Sequence, residues 1–405
     1  MAKCYTGRQR SFLYTQTMRK NILNMKFVWL LLHDFLFNLS GNLLHIFLPL
    51  YLLQELKFPL WLALTPLLMA MLSYGSLGFF GYKIQKKIGT KKFFTIHLAL
   101  NLIHNVFLLI IPFHLWAFWV YLAFAPFTGL FSVWQPCQTY LTKYTNKTYR
   151  GRQLSLQSVI ILLSSALGVF FGSVILTYLG FVSLILIKYV LTILRIVPIL
   201  KMDNFFAPKM KWKFAEILKL SFSKRFRKTS LSQIIYGVLN SANLIWPIFI
   251  FVSLKSYLGV GSVISLALIF QVFFTLFIGR LTDVLGRKTV LMSGTVLNSL
   301  SWLGRFIIAF LPKNILFFLG LETYTKFAKE ITHVSFQSSV YDKVDEDLDY
   351  RPLFDIMSHL GEVPAMLVIV LSLYLFPVLE NFIYIYFLIC AGLIYLLPLI
   401  CNRER

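Results

Sequence analysis

Carboxylates are scarce in this chain, which has 16 Asp and Glu among 405 residues against 39 Lys and Arg. Charge of either sign is thin, at 14% of residues, where a soluble domain carries about 25%. That shortage excludes an ordinary soluble enzyme, and the 58% apolar content excludes disorder. There are only four cysteines, Cys4, Cys137, Cys390 and Cys401; their spacing matches no metal motif and suggests no disulfide. No Walker loop is present, so the chain itself offers no ATP chemistry. Long polar stretches are also missing, which leaves no room for a soluble domain.

Apolar runs fill the space instead. A bilayer crossing needs about 20 apolar residues, and runs of that kind recur at 27–53, 59–81, 93–113, 115–140, 153–178, 180–200, 230–254, 258–279, 289–311, 314–340, 354–376 and 381–401. The expectation is an all-α polytopic membrane protein with twelve transmembrane helices, the first and tenth the most polar. If the spans alternate, 31 of the 39 basic residues fall on one side and only Lys57, Lys255 and Lys313 on the other. Lys188, Arg195, Arg305, Lys326 and Lys329 lie within spans. The positive-inside rule then puts both termini in the cytoplasm. The +23 net charge is a topological signal, and no nucleic-acid partner is needed to explain it. Residues 1–17 have no evident task, so Met18 or Met25 is an alternative start.

The chain divides into a tail (1–26), six spans (27–200), a basic linker (201–229), six further spans (230–401) and a short tail (402–405). The linker reads as an amphipathic segment on anionic lipid. The halves echo each other roughly 200 residues apart, as expected of an internal duplication with the site at the interface. Ser40-Gly41-Asn42-Leu43 answers Ser241-Ala242-Asn243-Leu244, Gly89 and Lys91 answer Gly286 and Lys288, and Leu100-Asn101 answers Leu297-Asn298. The expected architecture is two pseudo-symmetric six-helix bundles.

Between spans eight and nine stands Gly279-Arg-Leu-Thr-Asp283-Val-Leu-Gly286-Arg287-Lys288. Here the chain resembles the major facilitator superfamily, whose signature loop is Gly-x-x-x-Asp-x-x-Gly-Arg-Lys/Arg. The resemblance implies that Asp283 latches one alternating-access state by meeting the start of span five, near Arg152. A carboxylate at a helix end can meet the partly positive N-terminus of a neighbour. The first-half copy, Gly81 to Lys92, has lost its carboxylate and departs from the family pattern. The loop that should oppose it is the acidic one, with Asp342, Asp345, Glu346, Asp347 and Asp349. A swapped latch is expected, Lys83, Lys86, Lys87, Lys91 and Lys92 against that acidic run, although exposed pairs contribute only about 0–1 kcal/mol each.

Ionisable residues inside spans are costly unless they face water or a partner. In span one, Asp34, Asn38, Gly41, Asn42, His45 and Pro49 fall within about 100° of helical arc. In span ten, Glu322, Lys326, Lys329, Glu330, His333 and Gln337 occupy an arc of the same width. Spans four and seven carry neutral stripes, Gln135 and Gln138 in one, Gln233, Tyr236, Asn240 and Asn243 in the other. In the family the sequence resembles, spans one, four, seven and ten line the central cavity. By depth, Asp34 stands near the level of Glu330 and His333, and His45 near Glu322. The span-ten ladder has two readings, a solute or proton site or a self-neutralising i, i+4, i+8 series. Asp34 has no cation within a turn of its own helix and is the expected proton carrier, a buried carboxylate having a raised pKa. Arg305 is expected to be a counterion or an outer-face anchor, Lys188 and Arg195 to snorkel to an interface.

Together these point to a monomeric secondary transporter of a small organic solute, coupled to protons and embedded in lipid, with no cofactor, no metal and no catalytic residues. Drug/proton antiport is the nearest alternative, though the span-four Arg and span-five Gly-Pro of such proteins are missing here. A lipid translocator or an intramembrane lipid-linked enzyme is a more distant reading, since no catalytic dyad or metal–diphosphate acidic pair is visible.

Overall fold

The computed structural model describes residues 24–144, 150–206, 213–344, 351–376 and 379–401. It is helical throughout, with no strand among the described residues. Span 1 is Met25–Asn42 continued by Phe47–Gln54, and span 2 is Leu60–Ala63 continued by Thr65–Ile88. Span 3 is Thr90–Ile110, and span 4 is Trp116–Leu130 continued by Trp134–Tyr144. Arg150–Leu194 holds spans 5 and 6, separated at Gly180 where the backbone leaves helical geometry, and Ile196–Lys201 continues span 6. Spans 7 to 11 are Arg227–Leu254, Tyr257–Leu285, Arg287–Ile307, Ile315–Val344 and Arg351–Leu375. Span 12 is Leu379–Leu393, running on as the 3₁₀ segment Ile394–Cys401.

Among the described residues, six helices are long and apolar enough to cross a membrane by length and composition, or seven with the bent span 2 taken as one. Span 1 is among the six despite its polar stripe. Spans 9 and 10 are not, because each carries charge and hydroxyls within its turns, Arg305 with several serines in one and Glu322 to Glu330 in the other.

The duplication is visible in the backbone. Gly89 and Gly286 both take φ near +85° (87° and 81°), ending spans 2 and 8 and starting spans 3 and 9. Glycine meets that requirement because it has no Cβ to clash in the positive-φ region. Lys57 and Lys255 take φ of 54° and 50° after spans 1 and 7, and they are the only non-glycine residues with positive φ among those described. Packing repeats too. Span 1 lies on span 5 as span 7 lies on span 11, and span 2 on span 4 as span 8 on span 10. Between the halves, span 5 meets span 8 and span 2 meets span 11, two contacts related by the same exchange.

Small residues make the closest crossings possible. A side chain at Gly168 or Gly172 on span 5 would run into the backbone of span 1 at Leu39 or Leu43. On the other side, Gly237 and Gly361 hold spans 7 and 11 together, each facing a carbonyl of the partner helix, Ser358 and Ile234 respectively. Gly261 of span 8 is packed against Ser173 of span 5, across the halves.

The largest buried apolar cluster crosses from one half to the other, taking in Tyr51, Leu64 and Phe118 together with Phe249, Val260 and Leu373. Two smaller clusters each stay within a half, Phe27, Leu30, Phe94 and Ile199 in the first and Ile278, Val290 and Ile331 in the second. Both lie toward the basic face. On the opposite face the halves touch through Tyr257, whose hydroxyl donates to Glu55 at 3.5 Å, and through Trp61 edge-on to Tyr374. The linker helix Phe214–Ser221 does not lie free. Its Ile217 is buried in the main cluster and Phe214 packs on Phe79, so its apolar face is taken by spans 2 and 11.

Candidate functional site

Each half buries one charge cluster, and the two are built differently. In the first half Asp34 is 4% exposed. Gln157 Nε2 of span 5 donates to its Oδ2 at 2.6 Å, and Cys137 Sγ of span 4 to its Oδ1 at 3.4 Å. His33 Nδ1 stands 3.3 Å from the same Oδ1, and on the far side of that ring Arg195 Nη2 stands 3.3 Å from His33 Nε2. An arginine has no acceptor, so it must donate to Nε2, and Nδ1 is then the protonated nitrogen that donates to Asp34. A neutral imidazole therefore separates a carboxylate from its cation.

Arg195 was expected to reach an interface, and the structure corrects this. It is 1% exposed, with its guanidinium 4.7 Å from the centre of the Phe37 ring. Stacking on an aromatic face suits a weakly hydrated planar cation. Lys188 also turns inward, to Asn105 Oδ1 of span 3 at 2.5 Å. The level shared by Asp34 with Glu330 and His333 produces no contact, because all of the Asp34 side-chain partners above belong to the first half.

The rest of the span-one stripe grades toward open space. Asn38 donates back to the Asp34 carbonyl at 2.8 Å, while Asn42 donates to the Asn38 carbonyl and to Ser165 Oγ at 2.9 and 3.0 Å. His45 sits in the turn 43–46 that breaks the span and is exposed. Gln135 and Gln138 lie outside the described side chains.

In the second half the pairing is direct. Glu322, 3% exposed, is 3.4 Å from Arg305 Nη2 and 3.2 Å from Lys326 Nζ. Arg305 is itself 1% exposed, donates to Asn243 Oδ1 at 2.9 Å, and lies between the rings of Trp246 and Trp302 at 4.7 and 4.5 Å. Glu330 turns toward span 8, accepting from Gln271 Nε2 at 2.6 Å and Thr275 Oγ1 at 2.9 Å. His333 is 2.6 Å from the Tyr236 hydroxyl. Gln233 is buried, while Asn240 and Asn243 line a small cavity with Lys329.

Of the expected latch, Gly286, Arg287 and Lys288 are exposed, Lys87 is exposed and Lys86 half-buried. Gly279 lies within span 8; the side chains of Arg152 and Asp283 lie outside what is described, as do Asp345, Glu346 and Asp347 altogether. Two lysines of the wider set have local partners, Lys83 over the Phe79 ring at 4.5 Å and Lys91, whose ammonium donates to the Leu200 carbonyl at 2.6 Å.

His33, Cys137, Gln157, Arg195, Gln271 and Thr275 are site residues that sequence reasoning missed. The two glutamines carried a usable signal, since an amide in a membrane helix looks for a partner.

No family model matches the sequence, and no curated protein matches it. Solved structures do. A POT family transporter crystallised with 5-aminolevulinic acid superposes with a TM-score of 0.70 at 12% identity, over 93% of this chain and 95% of that one. The E. coli fucose:proton symporter gives 0.62 at 17% identity, over 95% of this chain and all of that one. This chain has the major facilitator fold. The duplication and the paired contacts of spans 5 with 8 and 2 with 11 agree with that fold, and the chain is an integral, multi-pass membrane protein. The neighbours that carry the fold are transporters.

Proposed function

We propose that the protein is a proton-coupled secondary transporter that moves a small polar solute by alternating access, as a monomer in lipid with both termini in the cytoplasm. The carrying observation is Asp34, a carboxylate inside a span whose immediate partners are a glutamine, a thiol and a neutral histidine. Charge in such a place costs several kcal/mol without a partner or water. Here the compensating cation stands one ring away, and in this reading Asp34 is the group that exchanges the proton. Proton coupling in the fucose symporter, which has this fold, supports the same reading.

The geometry also supplies a route from protonation to movement. Gln157 holds Asp34 from span 5, and span 5 meets span 8 of the other half at Ser173 and Gly261. A proton on Asp34 removes an anionic acceptor from Gln157 and leaves Arg195 without its counter-charge, so the span 1–span 5 contact changes first and the interface between halves feels it. In this reading Asp283 with Arg152, and Lys86 and Lys87 with Asp345, Glu346 and Asp347, are the contacts that close the basic face in one alternating-access state.

Proteoliposome uptake tests this. Solute accumulation should follow an imposed inward proton gradient in the native protein. Asp34→Asn should abolish gradient-driven accumulation while keeping solute exchange across the membrane. Accumulation that ignores the gradient in both proteins overturns the reading.

A further inference from the structure

The charges on spans 9 and 10 do not close among themselves. Arg305, Lys326 and Lys329 face Glu322 and Glu330. Glu322 is shared by Arg305 and Lys326, and Glu330 is turned away to Gln271 and Thr275. Lys329 has no ion pair and no hydrogen bond to any described residue. It lines a cavity of about 10 Å³, the room of about one water, together with Tyr236, Asn240, Asn243, Asn298, Trp302 and Thr332.

Two of the amide oxygens around that cavity are already engaged as acceptors. Asn243 Oδ1 takes the Arg305 guanidinium and Asn298 Oδ1 takes Ser301 Oγ at 3.1 Å. The Tyr236 hydroxyl is bound to His333. An ammonium has three donors and no acceptor, so what this site lacks is an oxygen carrying negative charge. Its other lining groups, three amides, the Tyr236 and Thr332 hydroxyls, the Trp302 indole, Leu239 and Leu397, carry no charge.

We propose that Lys329 is the anion subsite of the pathway, and that the solute carries a carboxylate or a phosphate group whose oxygen enters this cavity beside Asn240 and Asn298. This rests on the transporter reading and narrows its substrate class. The cavity has room for about one oxygen of the head group, so selectivity there is for charge and not for the body of the solute.

The test is ligand-induced stabilisation of the purified full chain in detergent, because a ligand that binds the folded state raises the melting temperature. The probes are inorganic phosphate and a series of organic acids of two to six carbons, each acid set against its neutral amide at equal ionic strength. At least one acid, or phosphate, should raise the melting temperature by several degrees where its neutral counterpart does not; which arm responds separates carboxylate from phosphate. Lys329→Gln should lose that preference, Lys329→Arg should keep it, and Lys326→Gln, which removes the neighbouring ammonium, should also keep it. If Lys329→Gln does not fold, loss of the preference in Lys326→Gln alone, or its absence in the native protein, decides against the proposal. Equal stabilisation by acids and amides, or an unchanged preference in Lys329→Gln, overturns it. The assay measures binding without flux, so failure here leaves proton-driven transport standing, and failure of transport leaves this result readable.

Discussion

The two buried charge clusters occupy related halves of one fold and solve the same problem in opposite ways. Glu322 is clamped directly between Arg305 and Lys326, with Arg305 fixed between two indoles. Asp34 is held by neutral donors, with Arg195 beyond the His33 ring. Glu322 is tied directly to two cations, whereas Asp34 has its cation at one remove, and under the proposed function that difference places proton exchange in the first half.

The largest effect expected from that difference is on the second half. Glu322→Gln leaves Arg305 buried without its anion, and breaking a buried pair by removing one partner costs about 3–5 kcal/mol. Unfolding in detergent should show that loss, and the double change with Arg305→Met should recover most of it. A Glu322→Gln protein as stable as the native one would remove the basis of the contrast.

Next comes helix packing. The span 7–span 11 crossing leaves less room at Gly361 and Gly237 than the span 1–span 5 crossing leaves at Gly168. Overpacking costs about 1–3 kcal/mol, so Gly361→Ala should lie at the upper end and Gly168→Ala at the lower, read as melting temperatures. Reversed order would mean that the first half, not the second, is the more tightly built.

Asp34→Asn should cost less than Glu322→Gln, about 1–3 kcal/mol, since the amide can still accept from Gln157 with its oxygen although its nitrogen then faces the His33 and Cys137 donors. Its effect belongs to the pH dependence of transport. A stability loss as large as that of Glu322→Gln would make the two clusters equivalent and sink the division of labour.

How much of this was legible in the sequence follows the range of the interactions. Twelve spans follow from local apolar runs, and the turn glycines Gly89 and Gly286 from a spacing repeated in both halves. Partners do not follow, because they are set by helices far apart in the chain. Gln157 and Cys137 reach Asp34 from more than a hundred residues away, and Arg195 comes from span 6. Residue spacing placed Asp34 on an inward stripe but could not say that His33, one step round the helix, would carry the link to Arg195. Level alone suggested Glu330 and His333 as its companions, yet level says nothing about which side of a bundle a group faces. The linker helix was misjudged for a related reason. Its apolar face was plain in the sequence, but spans 2 and 11, which cover it, become its neighbours only in the folded chain.

The smallest contrast is at the basic face. Gly89 is covered by Asn204, whose Oδ1 accepts from the Lys91 backbone at 3.0 Å, and Thr90 N donates to the Phe205 carbonyl at 2.8 Å. Gly286 has no described residue against its missing Cβ within 4 Å. The degraded copy, by contrast, is strapped by the chain leaving span 6. Asp203 anchors that strap by accepting from Lys26 Nζ and, at 2.6 Å, from the Tyr144 hydroxyl. The Lys26 bond, then the Tyr144 bond, hold its carboxyl below the ordinary range. A carboxyl depressed in the folded state contributes stability above its unfolded pKa of about 3.9, and that stability is lost as pH falls through the folded value. Asp203 is 39% exposed and screened by water, so the gain is about 0–1 kcal/mol. Asp203→Asn should lower the melting temperature slightly at pH 7 and leave it equal to the native protein's once the pH is low enough to protonate the folded carboxyl. A gap that instead widened on acidification would mean that the strap is held by other contacts, Lys91 to Leu200 first among them.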